Sequence, residues 1–237
     1  MCNRDKDKIN IIFVRHGMTA GNMEKRYIGR TNEPLCSEGR LALEKLKDSG
    51  IYKKAECVYV SPMLRCLQTL EIIYPEVYYG DKSYNESSIS ERSNEEKRKQ
   101  VLNYKKVDDF RECDFGIFEG KNYIELSDEP LYQKWIDSNA VLPFPKGEAR
   151  EDFTARCVRA FESIAEELCG KITDRAENKT YQAAFIVHGG TIMSILEHFG
   201  NEGKGYYDYR CRNGEGYSCI LDKTEGKIKL TCIQPLV

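Results

Sequence analysis

The chain has 237 residues but only three histidines, one tryptophan and no excess of charge of either sign, and each shortage excludes something. Its 36 Lys and Arg stand against 38 Asp and Glu, for a net charge of -2. A balance of that kind rules out broad attraction to nucleic acid, so any anion site has to be built locally. Ten cysteines are present, at 2, 36, 57, 66, 113, 157, 169, 211, 219 and 232, yet no two form a Cys-x-x-Cys pair. Zinc frameworks draw on closely spaced ligand pairs, so no metal is expected; the cysteines read as reduced, half-buried small hydrophobes rather than a disulfide framework. No apolar run approaches the roughly 20 residues needed to cross a bilayer, and Met1 to Asn10 is polar and charged. Neither a signal peptide nor a membrane partner is expected, and the location expected is the cytoplasm. Internal repeats and low-complexity linkers are also missing.

What the chain does have is one pattern used twice. Ile11-Ile12-Phe13-Val14-Arg15-His16-Gly17 and Ala183-Ala184-Phe185-Ile186-Val187-His188-Gly189-Gly190 each run from an apolar stretch through a histidine to a glycine. Such stretches read as strands buried on both faces, the type found in parallel sheets, and the glycines mark the chain turning off their carboxyl ends. Between them lie Ser37 to Leu46, a helix with Ser37 as N-cap and Ser49-Gly50 as its stop; the strand Cys57 to Val60; and a helix from Met63 to Tyr74, opened by Ser61-Pro62. A further helix is expected from about Glu148, with Phe153, Cys157, Phe161, Ile164 and Leu168 at helical spacing, and another over Thr191 to Phe199. Asp81 to Lys106 is rich in charge and poor in apolar anchors, so it reads as a solvated insertion. Gly216 to Asp222 and Lys227 to Ile233 read as a terminal hairpin. The alternation implies an α/β fold, a three-layer αβα sandwich with a mostly parallel central sheet. We expect one domain over 1–237, with an insertion or lid within 81–146.

Ligands in open α/β sheets bind at the carboxyl ends of the strands, and there Arg15, His16 and His188 would converge. Two imidazoles and a guanidinium suggest an anion. Arg65, in the first turn of its helix, points to the same end. A histidine with one ring nitrogen held by a backbone carbonyl and the other free is a competent nucleophile toward phosphorus. Charge developing on phosphoryl oxygens calls for guanidinium forks, with His188 a further donor. The amides beginning the helix at Gly189-Gly190 would face the same anion. Three carboxylates, Glu112, Glu119 and Glu148, could serve as the proton donor, and their spacing alone does not choose among them. His198, late in a helix, suits the helix dipole and is read as structural.

Four ordered motifs now add up to a resemblance. Arg15-His16-Gly17-Met18-Thr19-x-x-Asn22, Ser61-Pro62-Met63-Leu64-Arg65-Cys66-Leu67-Gln68-Thr69, Phe110-Arg111-Glu112-Cys113-Asp114-Phe115-Gly116-x-x-Glu119-Gly120 and Val187-His188-Gly189-Gly190 together resemble the histidine phosphatase superfamily. That resemblance implies His16 as the phosphorylated nucleophile, Arg15, Arg65 and His188 as phosphate ligands, Asn22 as a further polar contact, and Glu112 as the acid. The short Phe115 to Gly120 segment is closest to the broad-specificity and α-ribazole phosphatases. It implies a metal-independent phosphomonoesterase without a cofactor, acting on a small phosphate ester such as α-ribazole phosphate or a sugar phosphate. The alternative is a cofactor-dependent phosphoglycerate mutase, which returns its phosphoryl group to the product.

Two departures from the family pattern bear on substrate preference: Met18, where an acidic residue is usual, and Ala149, where serine commonly follows Gly147-Glu148. Tyr123, Tyr132, Trp135 and Phe144 fall where the family builds a lid. They could stack on an organic leaving group or simply pack a core.

Overall fold

The computed structural model describes residues 9–75, 102–173, 180–200 and 203–237. Strands β1 (Ile9–Arg15), β2 (Cys57–Val60), β3 (Asn103–Lys106), β4 (Tyr181–Val187), β5 (Gly216–Thr224) and β6 (Lys227–Pro235) form one sheet in the order β3-β2-β4-β1-β5-β6. The first four are mutually parallel, and β5 and β6 add the terminal hairpin antiparallel to β1. The helices are α1 (Ala20–Met23), α2 (Ser37–Asp48), α3 (Leu64–Ile73), α4 (Pro130–Asp137), α5 (Arg150–Thr173) and α6 (Gly189–Phe199).

Strand side chains alternate, and here both faces are apolar. Ile11, Phe13, Tyr59, Phe185 and Val187 join Phe161, Ile164 and Leu168 of α5 and Ile192, Ile195 and Leu196 of α6. The intervening Ile12, Val14, Val58, Val60, Ala184 and Ile186 join Leu43 of α2 and Cys66, Leu70 and Ile73 of α3. Period-two alternation thus divides the core into two halves, one on each side of the sheet, and gives the expected three layers.

Several boundaries differ from the expectation for local reasons. The cap of α2 is Cys36, whose Sγ accepts the Gly39 amide at 3.3 Å, so Ser37 is the first helical residue instead. Helix α3 begins at Leu64 with an extended Met63 as its N-cap. Ser61 lies two residues before that cap. Its hydroxyl still accepts the Met63 amide at 3.4 Å, but its shorter bond is to His188, at 2.8 Å. Helix α6 starts two residues early, at Gly189.

The expected insertion at 81–106 lies outside the described residues as far as residue 101. Its last part is not a solvated loop. Asn103–Lys106 pairs with β2 at the sheet edge, a polar four-residue strand with no apolar run to signal it. Leu102 and Tyr104 tie it to the α3 side of the core. Among the described residues no helix is long and apolar enough to cross a membrane.

Candidate active site

Strands β1 and β4 are neighbours in register, with Arg15 opposite Val187, so the two histidine turns emerge side by side. The His16 amide donates to the Val187 carbonyl at 2.9 Å, and the imidazole rings of His16 and His188 lie 5.1 Å apart edge to face. Their convergence follows directly from the parallel pairing.

His16 is buried, at 3% exposure, and its Nδ1 lies 2.7 Å from the Gly17 carbonyl. A carbonyl can only accept, so Nδ1 carries the proton and the neutral ring presents an unprotonated Nε2. Burial lowers the His16 pKa well below 6.5, and the Arg65 and Arg15 charges lower it further. The turn is braced from outside. Thr69 of α3 accepts the Gly17 amide at 2.9 Å and donates to the Arg65 carbonyl at 2.7 Å. Asn213 donates to the His16 carbonyl at 3.0 Å and to Asn22 Oδ1 at 3.0 Å.

Arg65 is 1% exposed, and its guanidinium donates only to backbone carbonyls: Thr31 at 2.9 Å, Gly29 at 3.1 Å and Ile28 at 3.4 Å. Arg15 donates to the Cys211 carbonyl at 2.8 Å. The Nε–H groups of both arginines are buried without a partner, and no salt bridge joins either to a carboxylate among the described residues. Two such cations beside two neutral imidazoles lack a counter-ion, and a bound anion would supply it. His188, 0% exposed, is also held neutral, first by burial and then by Arg65 and His16. Gly189 lies against Arg15: a Cβ there would stand 3.5 Å from its Nε.

The three candidate acids occupy different environments. Glu112 Oε1 accepts the Cys113 amide at 2.9 Å, and its Oε2 lies 3.9 Å from His188 Nδ1. Burial raises its pKa, opposed by the Cys113 amide and by Arg65 and Arg15. Glu119 is engaged elsewhere, its Oε1 accepting the Gly29 and Thr31 amides at 2.9 Å each. Glu148 is paired with Arg156 at 2.7 Å. Arg156 in turn donates to the carbonyls of Asp109, Arg111 and Glu112, clamping the segment that carries Glu112.

A cavity of about 430 Å³ opens over this region, bordered by Arg15, Glu112, Gly189 and Gly190 on one side and by Tyr27, Trp135 and Phe144 on another. Trp135 and Phe144 stack at 5.0 Å, and Tyr27 meets both edge to face at 6.3 and 6.2 Å. Tyr132 and the buried Phe118 complete the group, whereas Tyr123 is 55% exposed and makes no ring contact with it. The aromatic set therefore both packs and lines a cavity. Asn22, like His16, Arg65 and His188, is not among the residues that border the cavity. Its Oδ1 accepts the Thr19 amide at 3.3 Å and braces the turn after His16.

Sequence reasoning missed Thr69 as a brace, along with Asn213, Arg156, Tyr27 and the Ser61 hydroxyl. Only Ser61 and Thr69 carried a signal, since both sit in the second motif, where Ser61 reads as the opening of the helix and Thr69 has no assigned role. The others act from distant parts of the chain.

The fold and the paired strand-end histidines define a three-layer α/β protein with a buried centre rich in arginine and histidine. The profile of the histidine phosphatase superfamily (branch 1) matches residues 11–82 and 90–233, and the chain belongs to that superfamily, whose members act on phosphate esters. It is 27% identical over 190 residues to a 2,3-bisphosphoglycerate-dependent phosphoglycerate mutase of Gloeobacter violaceus, covering 78% of this chain and 73% of that protein. An uncharacterized phosphatase of Bacillus subtilis, PhoE, is 24% identical over 189 residues, covering 78% and 75%. In fold, the chain resembles an alpha-ribazole phosphatase from Shigella flexneri, with a TM-score of 0.65, 18% identity and 94% of each chain covered.

Proposed function

We propose that the chain is a phosphomonoesterase in which His16 attacks the phosphoryl group and displaces the alcohol. Glu112 protonates the leaving oxygen; water then hydrolyses the phosphohistidine with the same carboxylate as base. The observation that carries this reading is the neutral His16 ring, anchored through Nδ1 to Gly17 and set beside two buried guanidiniums whose Nε–H groups have no partner. Arg15, Arg65, His188 and the Gly189 amide would bind the phosphoryl oxygens, while Asn22 holds the turn. Of the three acids, Glu112 combines a raised pKa, proximity to His188 and a place on the cavity wall.

The proposal includes no metal, because the two histidine turns bring no Cys or carboxylate cluster with them. Among the described residues no group of three or more His, Cys, Asp and Glu could hold one. EDTA should leave activity unchanged; a loss restored by a divalent cation would overturn this part.

His16→Ala should abolish turnover, and wild-type enzyme quenched in mid-reaction should carry acid-labile, base-stable phosphate on His16. Near wild-type kcat in that variant would end the reading. The identity to a phosphoglycerate mutase supports a second reading, phosphoryl return to product. Steady release of inorganic phosphate from monoesters favours the esterase; isomerisation of 3-phosphoglycerate only after priming by a bisphosphate favours the mutase.

A further inference from the structure

Arg150 and Arg210 line the same cavity as Arg15 and Glu112, yet the chemistry proposed for His16 uses neither. Each guanidinium stacks over a tyrosine: Arg150 over Tyr206, 5.3 Å from the ring centre, and Arg210 over Tyr207 at 4.5 Å. The two tyrosines are themselves in edge contact at 5.1 Å. Stacking holds a guanidinium by its face and leaves the N–H groups at its edge directed outward, the geometry that grips a carboxylate or phosphate. Among the described residues neither arginine has a carboxylate partner. Arg150 is moreover the first residue of the 24-residue helix α5, where the helix dipole disfavours a cation. Arg150 is half-buried and Arg210 exposed, so both guanidiniums are free to pair with a second anion that enters the cavity.

The same cavity wall carries the apolar side chains of Trp135, Phe144, Leu142 and Met193. Leu142 and Tyr207, both on this wall, are 49% and 46% exposed. We propose that Arg150 and Arg210 form a second anion site, so that the substrate is a small phosphomonoester whose leaving group joins an apolar, ring-sized body to a further acidic group. This rests on the phosphomonoesterase reading, and a volume of about 430 Å³ is of the size that small organic ligands fill.

The test compares 4-(carboxymethyl)benzyl phosphate with its neutral amide, 4-(carbamoylmethyl)benzyl phosphate, two esters of matched shape and similar leaving-group basicity. Wild-type kcat/KM should favour the acid by about tenfold or more, as expected for a charge-assisted pair. Arg150→Ala and Arg210→Ala should each remove most of that preference while leaving the amide within about twofold. Equal turnover of acid and amide by the wild type, or equal losses on both esters in the variants, would overturn the second site. Nonhydrolysable phosphonates of the same pair separate the two claims. If neither ester releases phosphate but the acid phosphonate still binds more tightly and loses that advantage in Arg150→Ala, the second site stands and the esterase reading falls.

Discussion

Glu112 is distinguished from the other carboxylates by what surrounds it. Burial favours its protonated form, and a protonated acid near His188 is what a departing alkoxide requires. Glu112→Gln should therefore slow phosphorylation of His16 by an alkyl phosphate strongly. A nitrophenyl phosphate, whose phenolate leaves readily unaided, should lose much less. Single-turnover phosphorylation makes the comparison, since steady-state rates mix in dephosphorylation; equal losses would take the acid role from Glu112. The pH profile carries the same logic. His16 is held well below 6.5, so it stays neutral as pH falls past the usual histidine range, and the acid limb of kcat/KM should lie well under pH 6.5. The alkaline limb should follow deprotonation of Glu112, from a pKa raised above 4.5. An acid limb centred at 6.5 in kcat/KM that stays in place when the second pKa of the substrate's phosphate, about 6, is shifted by changing the ester would mean that the nucleophile is not this buried imidazole.

At the scale of elements, the loop after α1 deserves a mutation of its own. Glu119 holds the Gly29 and Thr31 amides, while the carbonyls of Ile28, Gly29 and Thr31 hold Arg65. Glu119 thus positions Arg65 without touching it. Glu119→Ala removes two bonds to a charged acceptor, each worth roughly 1.5–3 kcal/mol, so kcat should fall more than tenfold. Glu119→Gln, which keeps an acceptor at Oε1, should recover much of it. The loss should be alike for alkyl and nitrophenyl phosphates, unlike that of Glu112→Gln; a dependence on leaving group would give Glu119 a proton-transfer role instead. None of this linkage is legible in the chain. The strands other than β3, helices α2, α3, α5 and α6 and the convergence of Arg15, His16 and His188 could be read, because apolar runs, caps and glycine turns are local signals. The polar edge strand β3 could not, and for the acid the residues alone left Glu112, Glu119 and Glu148 open, Glu112 being only what the family resemblance implies. Pairing at an edge and the partners of a carboxylate are settled by residues far away in sequence, such as Val58 for Tyr104 and Gly29 and Thr31 for Glu119.

For the whole molecule, a candidate active site built in the core ties stability to pH. His16 and His188 are neutral in the fold, with pKa values held well below 6.5 by burial, whereas in the unfolded chain each binds a proton near 6.5. The unfolded state then binds more protons below that pH, so their contribution to stability is present above 6.5 and is lost as pH falls. Glu112 has the opposite sign. Its folded pKa is raised, so its contribution is present below about 4.5 and is lost as pH rises through the folded value. Where the two windows overlap they oppose each other, and Glu112→Gln removes only the carboxylate's part. Urea unfolding at fixed ionic strength should therefore show stability falling from pH 7.5 to 5.5 in the wild type, with a slope at least as steep in Glu112→Gln. A flat profile in both proteins would mean that the two imidazoles are not held neutral in the fold, and would remove the basis for treating His16 as a free nucleophile.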